Sequence, residues 1–274
     1  MLSIGLLLLS SYSLAQGQGG YSISKVLTAI NTARSSPRFY YRDFINSEYE
    51  MLTSNGTAGT GTHSVWRLTF NEATPVVFDT ARTFLGTQAT VTNLTIDMGL
   101  SYAAYLQAQY LGTVVHGISH IGPGGSTIIQ RISEYSKYTV WFPGENALRN
   151  DLLKKNETHM IADFIIDDGV STRGHRANIY NSSFNKVGIG LYKSKTMNDS
   201  NTYLVLDFTE FTDYFSYECD KCSSITCQNQ KDMGWDVYLK DLNLTDPCAS
   251  TSSKKAGIVG ILGMVIAIVI GTIF

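Results

Sequence analysis

The stretch D-D-G-V-S-T-R-G-H-R-A-N-I-Y-N, residues 167–181, decides how this chain is read. A Gly-His-Arg triplet between an acidic helix end and an Asn-containing turn fills neither a helix nor a strand well. Something local must hold it. Gly174 gives the backbone freedom to aim the His175 imidazole. Just upstream, Met160, Ile161, Phe164 and Ile165 form an apolar stripe that predicts a helix over 157–168, with Asp167 at its edge. Gly169 is placed to close that helix with a left-handed cap.

Two further segments bear on the same chemistry. Pro143-Gly144-Glu145-Asn146 reads as a turn holding a lone carboxylate, and His120 sits in a loop with glycines at 117, 122, 124 and 125. Two histidines and two carboxylates on separate loops are the ingredients of a divalent metal site or an acid–base cleft. Spacing alone leaves their convergence open. His120 bonding a loop carbonyl and Glu145 pinning its turn through backbone N–H groups are the structural alternatives. His63, His116 and His159 read as solvated. Arg176 reads as a holder of a carbonyl or carboxylate near the cleft, and Asn178 and Asn181 as shapers of the turn after His175. No G-x-S-x-G elbow is present, so a serine hydrolase has no support.

Elsewhere the pattern is helices around a late pair of strands. Tyr21 to Asn46 begins as an amphipathic helix with Val26, Leu27, Ile30 and Ala33 on one stripe, broken or restarted at Pro37, with Phe39, Tyr40 and Phe44 in the turn beyond. Residues 46–62 are rich in Ser, Thr and Gly and read as an exposed loop. A short helix is predicted over 79–88. A stronger one covers 98–111, its small Ala103, Ala104 and Ala108 suited to close packing. Residues 187–192 and 202–211 read as two strands joined by a polar turn.

The order of these motifs resembles the CAP superfamily: cysteine-rich secretory proteins, antigen 5 and pathogenesis-related proteins, in particular the branch of bacteria and single-celled eukaryotes. The likeness rests on Ile30 to Arg34 followed by Pro37, Gly99-Leu100-Ser101 with Ala103-Ala104, and Gly117 through Thr127 around His120. It continues with Gly144-Glu145-Asn146, Ile166 to Val170 leading to Gly174-His175-Arg176, and Val187 to Gly190. It covers about residues 24–212 within a domain drawn at 21–215. The resemblance implies an α+β fold, a three-layer α-β-α sandwich with a late antiparallel hairpin. It also implies a cleft of two histidines and two acids, the histidines binding a divalent cation such as zinc in several members. By position the metal ligands are His120 and His175 and the first acid is Glu145. The second acid is usually a glutamate three residues after an aromatic. Here Asp167 follows Phe164, with Asp168 as its rival.

The ends of the chain read as address labels. Residues 1–15, ending Ser-Leu-Ala, fit a signal peptide. Residues 256–274 are uncharged and apolar behind Lys254-Lys255 and small residues, as in a GPI attachment signal or, alternatively, a plain membrane anchor. Sequons at Asn55, Asn93, Asn156, Asn181, Asn198 and Asn243 predict a glycosylated ectodomain. Cys219, Cys222, Cys227 and Cys248 read as two disulfides in a stalk over 216–250, rather than as a zinc site. A net charge of −2 without a basic block argues against nucleic acid as a partner.

The functional expectation is therefore a membrane-tethered extracellular protein binding a metal, an apolar lipid such as a sterol, or a protein. The alternatives are metal-assisted hydrolysis with Glu145 as general base and Asp167 as a second catalytic candidate, or surface adhesion with an idle cleft.

Overall fold

A computed structural model describes residues 21–46, 74–135, 142–151, 156–195, 201–210, 226–243, 246 and 248. The expected signal peptide, the Ser/Thr/Gly-rich loop, the apolar tail, His63, Asn55, Asn198, Cys219 and Cys222 lie outside the described residues.

The expected α-β-α sandwich is present. Helices α1 (Ile23–Ser35), α2 (Pro37–Tyr40) and α3 (Thr74–Thr87) precede a two-residue strand β1 (Thr95–Ile96) and helix α4 (Met98–Tyr110). Then come α5 (Ile128–Tyr135), β2 (Gly144–Asp151), α6 (Glu157–Ile166), α7 (Gly174–Tyr180) and the hairpin β3 (Lys186–Lys193) and β4 (Asn201–Thr209). Helices α8 (Cys227–Asp232) and α9 (Trp235–Asp241) follow. The sheet runs β1-β3-β4-β2, with β1 parallel to β3 and the other pairs antiparallel. One layer is α4 with α5. The other groups α1, α3, α6 and α7.

Helix α4 forms because Asp97 caps it, accepting from the Leu100 N–H at 2.9 Å, and because its alanines let it approach the sheet. Opposite them β3 carries Gly188 and Gly190. A Cβ at Gly188 would stand 2.3 Å from the Leu100 carbonyl carbon, and one at Gly190 2.2 Å from that of Ala104. Ser101 Oγ accepts the Ile189 N–H at 3.1 Å, an amide beyond the end of the short β1.

Two buried arginines tie the far layer together through carbonyls. Arg34 donates to Thr92, Ile179, Asn181 and Phe184, and burial lowers its pKa to about 10. Arg176 donates to Ile165, Ile166 and Thr80 and lies over the Phe84 ring.

Several expectations need correction. Glu145 stands on a strand, not in a turn, and pairs opposite Asp207. The left-handed residue closing α6 is Asp167 (φ 57°, ψ 46°), with Gly169 left-handed two residues later. Before α7 the left-handed residue is Arg173, while Gly174 is itself helical. His159 is half-buried and completes the cap of α6, accepting the Asn156 N–H. The helix expected over 79–88 starts at Thr74. Within the expected stalk, α8 and α9 instead pack against the domain, burying Met233, Trp235 and Tyr238 in the core. A disulfide joins Cys227 to Cys248.

The close approach of α4 makes a clean test. Gly190→Ala should destabilise on the order of 3 kcal/mol in urea denaturation, since the obstructing atoms are backbone. Gly86→Ala, in α3 with open space around it, should instead stabilise by about 0.5–1 kcal/mol.

Candidate functional site

The two His–carboxylate pairs are built at the end of the sheet where β2 begins. After α4 a π-helical turn, Leu111–Val115, leads to His116, left-handed at φ 52°. The loop beyond it is pinned twice: Gln107 donates to the Ser119 carbonyl at 2.7 Å, and Arg131 to that of His120 at 3.3 Å. His120 is thereby brought over β2, where its Nδ1 lies 2.7 Å from Glu145 Oε1. It does not bond a loop carbonyl through its ring.

Glu145 is buried, and its second oxygen accepts from Arg131 Nη2 of α5. The hydrogen bond to Glu145 raises the His120 pKa above its ordinary 6.5, against partial desolvation. His120 remains accessible, its side chain 56% exposed.

A second pair repeats the chemistry on other elements. His175 Nδ1 lies 2.7 Å from Asp167 Oδ1, while Asp167 Oδ2 accepts the N–H groups of His175 (3.0 Å) and Arg176 (3.2 Å). Of the two rival acids, Asp167 takes the position beside His175. The His175 ring also packs against Phe164 at 5.3 Å between centroids.

Asn146 and Asn178 join the two pairs. Asn146 Nδ2 donates to the His175 carbonyl at 3.0 Å, and Asn178 Nδ2 to Asn146 Oδ1 at 2.9 Å. Asn178 thus connects strand to helix instead of only shaping a turn. Asn181 accepts the Ser183 N–H at the end of α7.

In each pair the carboxylate can only accept, so a neutral imidazole donates from Nδ1 and keeps the Nε2 lone pair. Both carboxylates are occupied by these contacts. Among the described residues, no three His, Cys, Asp or Glu side chains are grouped as metal ligands. Two residues of the site escaped the sequence reading: Arg131 and Asp207. A lone aspartate inside the apolar strand T-Y-L-V-L-D-F-T was the available signal for the second.

This α-β-α sandwich with paired His–carboxylate contacts fits the family whose model the chain matches. The chain belongs to the CAP family, the cysteine-rich secretory protein family, whose model matches residues 27–208. Among solved structures it is similar to an extracellular protein containing an SCP domain from Bacillus anthracis. Identity is 18% and the TM-score 0.35, over 50% of this chain and 40% of that one. It is also similar to an outer surface protein from Borrelia burgdorferi, at 21% identity and TM-score 0.35, over 50% and 90%. Na-ASP-1 matches at 10% identity and TM-score 0.32, over 72% and 41%. A search of curated proteins finds no match.

Two measurements check the pairs. Glu145→Gln should lower the His120 pKa toward or below 6.5 in an NMR titration, because the largest raising interaction is gone. Asp167→Ala should cost about 2–4 kcal/mol in urea denaturation by orphaning three donors. Asp167→Asn, which keeps one oxygen acceptor and tolerates the left-handed backbone, should fall between.

Proposed function

We propose that this protein is a glycosylated, membrane-attached binding protein of the outer cell surface, and that His120 and His175 form its ligand site. The observation behind this reading is the orientation of the imidazoles. Each is held by Nδ1 on a buried carboxylate, which leaves Nε2 as a lone-pair donor to a ligand. The placement at the surface rests on the apolar first 15 residues, the apolar tail and the sequons. Asn93, Asn156 and Asn243 are exposed, as a glycan requires.

The donor set defines the ligand. Two imidazoles with no spare carboxylate oxygen fit an exchangeable divalent cation that keeps water or ligand oxygens, not a structural zinc, which takes four protein ligands. Such a cation would supply a Lewis-acidic centre for an oxygen of the ligand. The chain around His120 exposes Val114, Ile118 and Ile121, which suits a ligand with an apolar portion, a lipid or a protein surface.

The geometry speaks against hydrolysis with Glu145 as base. Both its oxygens are engaged and its side chain is only 3% exposed, so it orients His120 and does not face a water.

Zinc titration by calorimetry, on the full chain in detergent, tests the reading. One zinc should bind to the unaltered protein, and stoichiometric binding should be lost in both His120→Ala and His175→Ala, each of which removes one of the two imidazoles. Binding should weaken as pH falls through the raised His120 pKa, because protons then compete for the same nitrogen. No binding to the unaltered protein would remove the cation from this proposal.

A further inference from the structure

Asp207 is a fully buried acid that the two His–carboxylate pairs do not account for. It stands on β4 directly opposite Glu145 of β2 on one side and Gly188 of β3 on the other. Paired positions share a sheet face, so Asp207 and Glu145 lie together under α4. Asp207 is completely buried, and neither carboxyl oxygen has a hydrogen-bond donor among the described residues.

The charged groups that face it are Glu145 and Arg131. Arg131 already serves Glu145 and the carbonyls of His120 and Ser126. Glu145 also receives His120 Nδ1. Arg131 Nε is buried without a partner among the described residues, yet it makes no hydrogen bond to either Asp207 oxygen, so no donor reaches the second carboxylate. An ionised Asp207 would be an unpaired buried anion beside another anion, one of the costliest arrangements a core can hold. A neutral one becomes a donor, and the acceptor across the strand pair is Glu145, whose oxygens each keep a second lone pair beyond the contacts to His120 and Arg131.

We propose that Asp207 keeps its proton and donates it in a hydrogen bond to Glu145, forming a line Asp207–Glu145–His120 from the core to the surface. Asp207 is then a positioning residue: it acts on the accessible imidazole only through Glu145. The core charge is balanced by one guanidinium and one carboxylate. Burial, with the neighbouring Glu145 charge adding to it, pushes the Asp207 pKa well above the ordinary 3.8 in agreement with this assignment.

The sign of the pH effect follows. The unfolded chain releases this proton near pH 3.8, while the folded protein retains it. Folding therefore takes up a proton above that pH, and this group's contribution to stability falls as pH rises toward the folded pKa. Asp207→Asn removes the titration with little change of shape and retains a donor.

Carbon-13 carboxyl NMR on the full chain in detergent, with the Asp207 carboxyl assigned through its own Cβ, decides the matter. The expected result is a neutral carboxyl shift at pH 7. In parallel, the ratio of folding equilibrium constants, Asp207→Asn over unaltered protein, should grow by up to tenfold per pH unit above about pH 4. An ionised Asp207 at pH 7, or a ratio flat with pH, would overturn the proposal. Should Asp207→Asn fail to fold, the carboxyl shift of the unaltered protein is sufficient alone. Neither readout depends on whether zinc binds.

Discussion

The contact on which the rest depends is the backbone-to-backbone approach of α4 and β3. Gly188 and Gly190 leave no side chain between the strand and the carbonyls of Leu100 and Ala104, so the helix rests on the sheet at a set height. That height determines where the chain emerges. The π-helical turn and left-handed His116 redirect it, and Gln107, one turn before the end of α4, holds the carbonyl of Ser119. His120 thus reaches Glu145 from a rigid origin rather than from a free loop. A wider separation of the layers would move both pinning contacts and carry the imidazole off its carboxylate.

The buried arginines divide the labour between framework and site. Arg34 and Arg176 collect carbonyls where helix ends and strand approaches cross, at positions without regular partners. A guanidinium fork suits this because it delivers several donors in one plane and is drawn to the partial negative charge of helix C-termini. Arg131 is different, since it meets a carboxylate. Its charge offsets the Glu145 carboxylate under α4, which without it would be a buried anion with no cation beside it in the core. The framework arginines satisfy dipoles; the site arginine neutralises a charge.

What the sequence disclosed follows from which residues obey periodicity. Helices α1, α4 and α6 and the late hairpin announced themselves by apolar spacing, because those faces only pack. Strand β2 did not. Its buried positions include Glu145, Asn146 and Asn150, each engaged with the cleft or a neighbouring element, so the strand lacks the apolar run expected of a buried one. Gly144 looked like a turn residue, yet its missing side chain makes room for Asn178, whose Oδ1 would stand 2.7 Å from a Cβ there. Arg131 lies on an amphipathic helix within a segment read as a glycine-rich loop, where arginine is unremarkable. Inward polar contacts are what erased the pattern. The elements hardest to read were those whose polar side chains turn inward.

Asp167 shows why the departure from the family's usual glutamate suits this backbone. The residue closes α6 in the left-handed conformation, which aspartate adopts far more readily than most side chains because of its short polar group. From there its carboxylate reaches forward to the start of α7. Arg173, the N-cap of α7, makes no side-chain cap to that helix, and Asp167 Oδ2 accepts the N–H groups of His175 and Arg176 in its first turn. One residue therefore ends one helix, caps the next and still has Oδ1 for the His175 ring. A longer side chain would have to fold back to make the same short reach, with more rotamer freedom to lose. The carboxylate is held by two backbone amides rather than by a guanidinium, so the two pairs present alike imidazoles on differently supported acids: Glu145 leans on Arg131 and a strand, Asp167 on the dipole and amides of α7. The two pairs are unlike halves joined through Asn146 and Asn178, and the second depends on a helix terminus rather than on the sheet.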